Sequence, residues 1–122
     1  MLDYKTLVTL SAAVLMLIGL GWLVKGEVML KRWRLVPNDV GLLVGRRIGT
    51  VYLGTASLLL ALRSITSSEA QSAVCAGSAA FAFLLALVGI YEYVRKRVGP
   101  AMLISVAIEL ALAIGYISLL LR

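Results

Sequence analysis

Residues 6–24 run the length of a membrane-crossing helix without one ionisable side chain. About 20 mainly apolar residues cover the hydrocarbon of a bilayer as an α-helix. A helix apolar on every side must be covered all round, by protein or by lipid. This chain has little protein to do it with. It has 122 residues, 61% of them hydrophobic, and a mean hydropathy of +1.00. Soluble domains are roughly 45–50% apolar, and a small one has little interior to hide an excess. Lipid is therefore the expected solvent.

Three more apolar runs follow. The expected architecture is all-α: a single integral membrane four-helix bundle over residues 1–122, with spans at 6–24, 40–62, 69–93 and 101–121. Local signals mark the limits. Pro37-Asn38-Asp39 is a stop and a helix cap. Ser68-Glu69-Ala70-Gln71 matches the S-x-x-Q capping box. Gly99-Pro100 closes the third helix and opens the fourth. The flank Met1-Leu2-Asp3-Tyr4-Lys5 is nearly neutral, whereas a cleaved signal peptide begins with positive charge, so the first run is read as a span.

The net charge is +6 and the pI near 9.9. The basic residues gather at the ends of the apolar runs. Lys25, Lys31, Arg32 and Arg34 follow the first, and Arg95, Lys96 and Arg97 follow the third, against only Lys5, Arg63 and Arg122 on the other side. The positive-inside rule then puts the first and third loops in the cytoplasm of a bacterial inner membrane, with both termini outside. In the first loop, Val28, Met29, Leu30, Trp33, Leu35 and Val36 interleave with Lys31, Arg32 and Arg34. A short interfacial helix fits, its basic groups and tryptophan meeting headgroups. An irregular basic loop fits equally.

No basic helix face or aromatic platform lies outside the spans, so nucleic acid is not an expected partner. There is no histidine and one cysteine, Cys75. Histidine-ligated metal or haem and a histidine base are excluded, and a lone cysteine in an apolar helix is usually inert. No metal site and no cofactor is expected. Gly19, Gly21, Gly77, Ala79 and Ala80 read as packing positions.

The second run, GLLVGRRIGTVYLGTASLLLALR, carries two arginines in its first turns. Gly41, Gly45, Gly49, Tyr52 and Ala56 fall on one stripe of this helix. Small residues four apart let helix backbones approach, so this stripe is expected to pack, with Val44, Ile48, Val51, Thr55 and Leu62 facing lipid. Arg46 flanks the stripe and is expected to point inward, while Arg47 snorkels to headgroups. Glu109 shares a stripe with Met102, Ser105, Ala113 and Tyr116; Glu92 shares one with Ser78, Ala82, Leu85 and Gly89. Arg46 lies about 9 Å along its helix and Glu109 about 13 Å along a parallel one, an offset an arginine can bridge. A cluster of Arg46, Glu109 and Glu92 is expected, with Ser105, Tyr52 and Tyr116 as hydroxyl partners. For Arg46 and Glu92, a salt bridge that only fixes register is an equal reading. For Glu109, near mid-span, function leads.

The segment VPND followed by GLLVGRRIGTVYLG resembles the second-span region of small four-helix bacterial membrane proteins of the DoxX-like group and related uncharacterised families. Their arginine, two residues and a glycine correspond here to Arg46 and Gly49. The similar length and layout cover nearly the whole chain. The resemblance implies a compact four-helix membrane bundle and no catalytic role. Small multidrug transporters are similar in size, but their essential carboxylate lies in the first span, where this chain has no ionisable residue. The expected function is a non-enzymatic membrane protein that binds a partner protein or a small amphipathic ligand, as an accessory subunit, assembly factor or immunity-type protein. Proton-coupled transport through Glu109 comes second, and an enzyme acting on a lipid or quinone-like substrate third. Expected partners are membrane lipids, and another membrane protein or a second copy in a homo-oligomer.

Overall fold

The computed structural model describes residues 2–122. The described chain is all-helical: α1 (Tyr4–Val24), α2 (Gly26–Arg32), α3 (Asp39–Leu62), α4 (Ser68–Val94) and α5 (Met102–Leu120). Three of these, α1, α4 and α5, are long and apolar enough to cross a membrane. The length of α3 is comparable, but Arg46, Arg47 and several Gly, Thr and Ser residues lower its hydropathy. The segment after α1 does form a short helix, α2.

The helix limits have identifiable causes. The Asp3 carboxylate accepts the Thr6 N–H at 2.8 Å and caps α1; these hydrogen bonds hold its carboxyl below the usual carboxylate range. Asn38 accepts the Gly41 N–H at 2.6 Å and caps α3. The cap of α4 is Ser67, one residue before the expected capping box, and accepts from the Ala70 N–H at 3.3 Å. Gln71 instead donates to the Ile65 carbonyl at 2.6 Å, tying the α3–α4 turn. Before α5 there is no side-chain cap. Its first turn is wound tightly by bonds from Met102, Leu103 and Ile104 N–H to the carbonyls of Gly99, Pro100 and Ala101.

Helices α2 and α4 end alike. Leu35 N–H bonds to the Leu30 carbonyl and Arg34 N–H to that of Lys31; Arg97 N–H bonds to the Glu92 carbonyl and Lys96 N–H to that of Tyr93. Each is a Schellman motif, in which the residue past the helix turns left-handed. Glycine usually occupies that place. Here Arg34 (φ 59°) and Lys96 (φ 60°) do, which costs about 1–2 kcal/mol at each. The third span therefore closes at Lys96 and not at Gly99.

The long helices pack as two antiparallel pairs, α1 with α3 and α4 with α5. In the first pair, Gly19 and Gly49 meet backbone to backbone. A Cβ on Gly49 would lie 2.7 Å from the Gly19 carbonyl oxygen, and one on Gly19 would lie 2.8 Å from that of Gly49. One turn along, the Trp22 ring lies on Gly45, where a Cβ would sit 2.5 Å away. Gly41 faces Leu30 of α2. In the second pair the small stripe Cys75, Ala79, Ala82, Ala86 and Gly89 is buried, and Gly89 closes on Val106 of α5. Gly77 is off this stripe, exposed, with open space where a Cβ would stand. Its expected packing role does not appear.

Gly49→Ala should destabilise the protein by about 1–3 kcal/mol, because the neighbouring atom is backbone and cannot swing away. Gly54→Ala, with nothing within 4 Å of its new Cβ, should be neutral or gain up to about 1 kcal/mol of helix propensity. Unfolding in detergent measures both, and equal effects would contradict the α1–α3 contact.

Candidate functional site

The two helix pairs are joined at both ends. At the end bearing the termini, the Tyr116 hydroxyl donates to Ser11 Oγ at 2.7 Å, and Ser11 donates to the Leu7 carbonyl at 2.8 Å. Both side chains are buried, so the chain of bonds satisfies groups that would otherwise be costly. Val8, Ala12, Ala56, Leu59 and Cys75 pack around it. Nearby, the Tyr4 hydroxyl donates to the Leu62 carbonyl at 3.0 Å and holds α1 to α3. At the other end, Gly99 N–H donates to the Trp33 carbonyl at 2.9 Å, and the Arg34 stem covers Gly99.

Between these ties the pairs part around a cleft of about 920 Å³. All four long helices line it. α1 contributes Val14 and Ile18, α3 Ile48 and Thr55, α4 Phe81 and Leu85, α5 Ile108 and Leu112. Small-molecule sites typically enclose about 300–1,000 Å³ with mostly apolar walls and few polar groups. The cleft fits that description.

Of the expected cluster, Glu109, Ser105, Tyr52, Tyr116 and Glu92 all line the cleft. The stripes read on α4 and α5 therefore face the same space. Glu109 Oε2 is buried without a hydrogen-bond partner. Tyr52 stands edge-on to Phe81, with ring centres 6.4 Å apart. Glu92 is at the mouth near α2, where Arg97 reaches it at 3.1 Å.

Arg46 is not in the cleft. It is exposed and lines a separate recess of about 430 Å³ with Trp22, Lys25, Glu27 and Leu42. The ion pairs among the described residues, Lys31–Glu27 at 3.0 Å and Arg97–Glu92 at 3.1 Å, do not include it. The expected Arg46–Glu109 pairing is thus corrected, and the cause is the direction of α3. Its Gly45 and Gly49 are closed against α1, and Gly41 against Leu30 of α2. Arg46, one residue beyond Gly45, goes to the outer edge of that contact. The face that turns to the cleft is the larger one, with Val44, Ile48, Thr55 and Leu62, which the sequence had suggested for lipid. Only Val51 of that set stays outside it.

The basic residues after α1 also divide. Lys31 and Arg47 are exposed, and Arg32 lines the cleft mouth. Arg34 is drawn onto Gly99. Trp33 folds back on Trp22, ring centres 5.2 Å apart, and is half-buried. Sequence reasoning did not find Ser11 or the pairing of Arg97 with Glu92, and it read Gly77, which lines the cleft, as a packing position. Ser11 was findable as a serine deep in an uncharged run. Arg97 was not, because its reach to Glu92 depends on the left-handed turn at Lys96.

Compared with protein-family models, with curated proteins and with solved structures, the chain matches none. The chemistry of the site must speak from its own residues. It holds the Glu109 carboxyl, hydroxyls and aromatic rings between apolar walls, with the Glu92–Arg97 pair and Arg32 at its mouth.

Because Arg46 and Glu109 are apart, Arg46→Met and Glu109→Gln should affect thermal stability in detergent independently, adding within about 0.5 kcal/mol. Glu109→Gln alone should be neutral or stabilising, since it removes a buried charge with no partner. Strong coupling, with the double variant recovering a loss, would put Arg46 back beside Glu109.

Proposed function

We propose that this is a multi-pass integral membrane protein whose four long helices all cross the bilayer and whose cleft binds a small amphipathic ligand. The cleft is the observation that carries the reading. Its walls come from both helix pairs, and its polar groups converge from α3, α4 and α5. Outward-facing Leu17, Leu84 and Ile114 are each at least 60% exposed, as a lipid-covered surface requires. For α3, the arginines project from its edge near the α2 end, at a depth where their stems reach headgroups. Lys25, Lys31, Arg32 and the basic turn after α4 lie at that same end. This supports a bacterial inner membrane location with that end cytoplasmic and both termini outside. The likeness of the Arg46–Gly49 stretch to the DoxX-like group supports the same layout.

Binding without catalysis is the reading the donor set favours: Glu109 Oε2 has no hydroxyl bonded to it, Glu92 is engaged by Arg97, and the chain has no histidine, so no nucleophile–base pair is formed. Accessory, assembly and immunity-type roles would all operate through such binding. Proton-coupled transport is the second reading, favoured by the unpartnered Glu109 Oε2 in the cleft.

The neutral dye N-phenyl-1-naphthylamine should bind saturably to the protein in detergent, reported by energy transfer from Trp22 on the cleft wall. Gly77 also lines the cleft and has space around it. Gly77→Phe should therefore keep the helical content and weaken dye binding about tenfold, roughly 1.4 kcal/mol. No saturable binding, or binding indifferent to Gly77→Phe, would refute the ligand site.

A further inference from the structure

Three features were left over by the proposed function: the buried edge of Glu109, the Arg46 recess and the exposed apolar face of α5. The recess holds Lys25, Glu27 and Arg46 in open, exposed positions, and nothing selects an occupant. The α5 face is apolar along its length, and lipid satisfies it as well as protein would. Glu109 is different, because its surroundings specify what they lack.

We infer that the cleft takes a lipophilic cation, seated with its positive centre against the Glu109 carboxylate. This rests on the reading of the cleft as a ligand site. The first reason is the missing partner. Glu109 Oε2 is buried with no hydrogen bond, and a buried carboxylate left alone costs several kcal/mol. The second is where the protein's cations are. Arg46 is outside the cleft. Arg32 and Arg97 stand at its mouth, and Arg97 is engaged by Glu92 at 3.1 Å. The groups that face the interior from α1, α3 and α4 are the hydroxyls of Ser11, Tyr52, Thr55 and Ser78, with no positive charge. The third is the walls. Tyr52 and Phe81 line the cleft, and aromatic rings attract cations most strongly where water is excluded. The remaining lining is apolar and suits a hydrophobic body around a single charge.

Other occupants satisfy the site less well. A neutral apolar molecule leaves Oε2 unpaired. An anionic amphiphile finds its complement at Arg32 and Arg97 on the mouth and would bring its body to an unpaired carboxylate. The chain's charge of +6 opposes cations in general. Selection for a cation must therefore come from the local site. The basic mouth also disfavours entry there, so the ligand passes between the helix pairs from the apolar side.

The test uses the full chain in detergent, with tetraphenylphosphonium as the cation and tetraphenylborate as its anionic counterpart of similar size and shape. The phosphonium should displace N-phenyl-1-naphthylamine and the borate should not. Glu109→Gln should lower phosphonium affinity about tenfold or more and abolish the preference for the cation over the borate. Glu109→Asp, which retains the charge, should keep the preference for the cation. If the dye binds but both ions displace it equally, or Glu109→Gln leaves phosphonium affinity unchanged, the cation assignment is wrong and the ligand site stands. A preference for the borate would assign the cleft to an anionic amphiphile held at Arg32 and Arg97. If the dye itself does not bind, the ligand-site reading falls and takes this inference with it.

Discussion

Gly19 and Gly49 bring two helix backbones into direct contact, and much of the molecule follows from that. Their mutual approach leaves no room for a Cβ on either side. It fixes α1 against α3 and seats Trp22 on Gly45. Trp33 then closes on Trp22, and its carbonyl accepts from Gly99 before α5. Close contact of this kind is driven by van der Waals packing and needs no aqueous hydrophobic effect, so it serves a helix pair in lipid as well.

The same constraint produces the cleft. Small residues can line only a limited width of each helix, and here they are used within the pairs. Gly19, Gly45 and Gly49 serve α1–α3; Ala82, Ala86 and Gly89 serve α4–α5. The faces left to meet between pairs carry Ile48, Tyr52, Phe81, Leu85 and Ile108. Those side chains hold the backbones apart. Ties through Tyr116–Ser11 at one end and Gly99–Trp33 at the other keep the pairs from separating or collapsing. An unpaired Glu109 in such a space works against stability. Residues that break local rules in this way are where function is expected.

The sequence made the helices legible because hydropathy, caps and chain reversals are local. The expected limits fall within two residues of α1, α3, α4 and α5, and Asn38 caps α3 as read. Ser67 and not Ser68 caps α4, a shift of one that a run of serines cannot resolve. The faces of α4 and α5 were also legible, since Glu92 and Glu109 each sat among small or polar residues on one stripe. The face of α3 was not. Its glycine stripe announced a close helix contact but not which helix would make it. Taking that contact for the bundle centre turned Arg46 inward, gave it to Glu109 and sent Ile48 and Thr55 to lipid. That one partner choice misplaced Arg46 and the Val44, Ile48 and Thr55 face, while Tyr52 still reaches the cleft. The Arg97–Glu92 pair was hidden for a related reason, as it arises from the left-handed backbone at Lys96, a conformation the residue type argues against.

The central claim is that the helix pairs are tight within and open between. Accessibility of single cysteines, in a Cys75→Ala background, tests it most directly. Ser105 lies on the cleft wall, whereas Ala86 is fully buried within the α4–α5 pair. In the folded protein, a small uncharged methanethiosulfonate should modify Ser105→Cys readily and leave Ala86→Cys protected, with both reacting once the protein is unfolded. Equal protection of the two positions in the folded state would mean that the pairs close on each other, and the cleft would not exist.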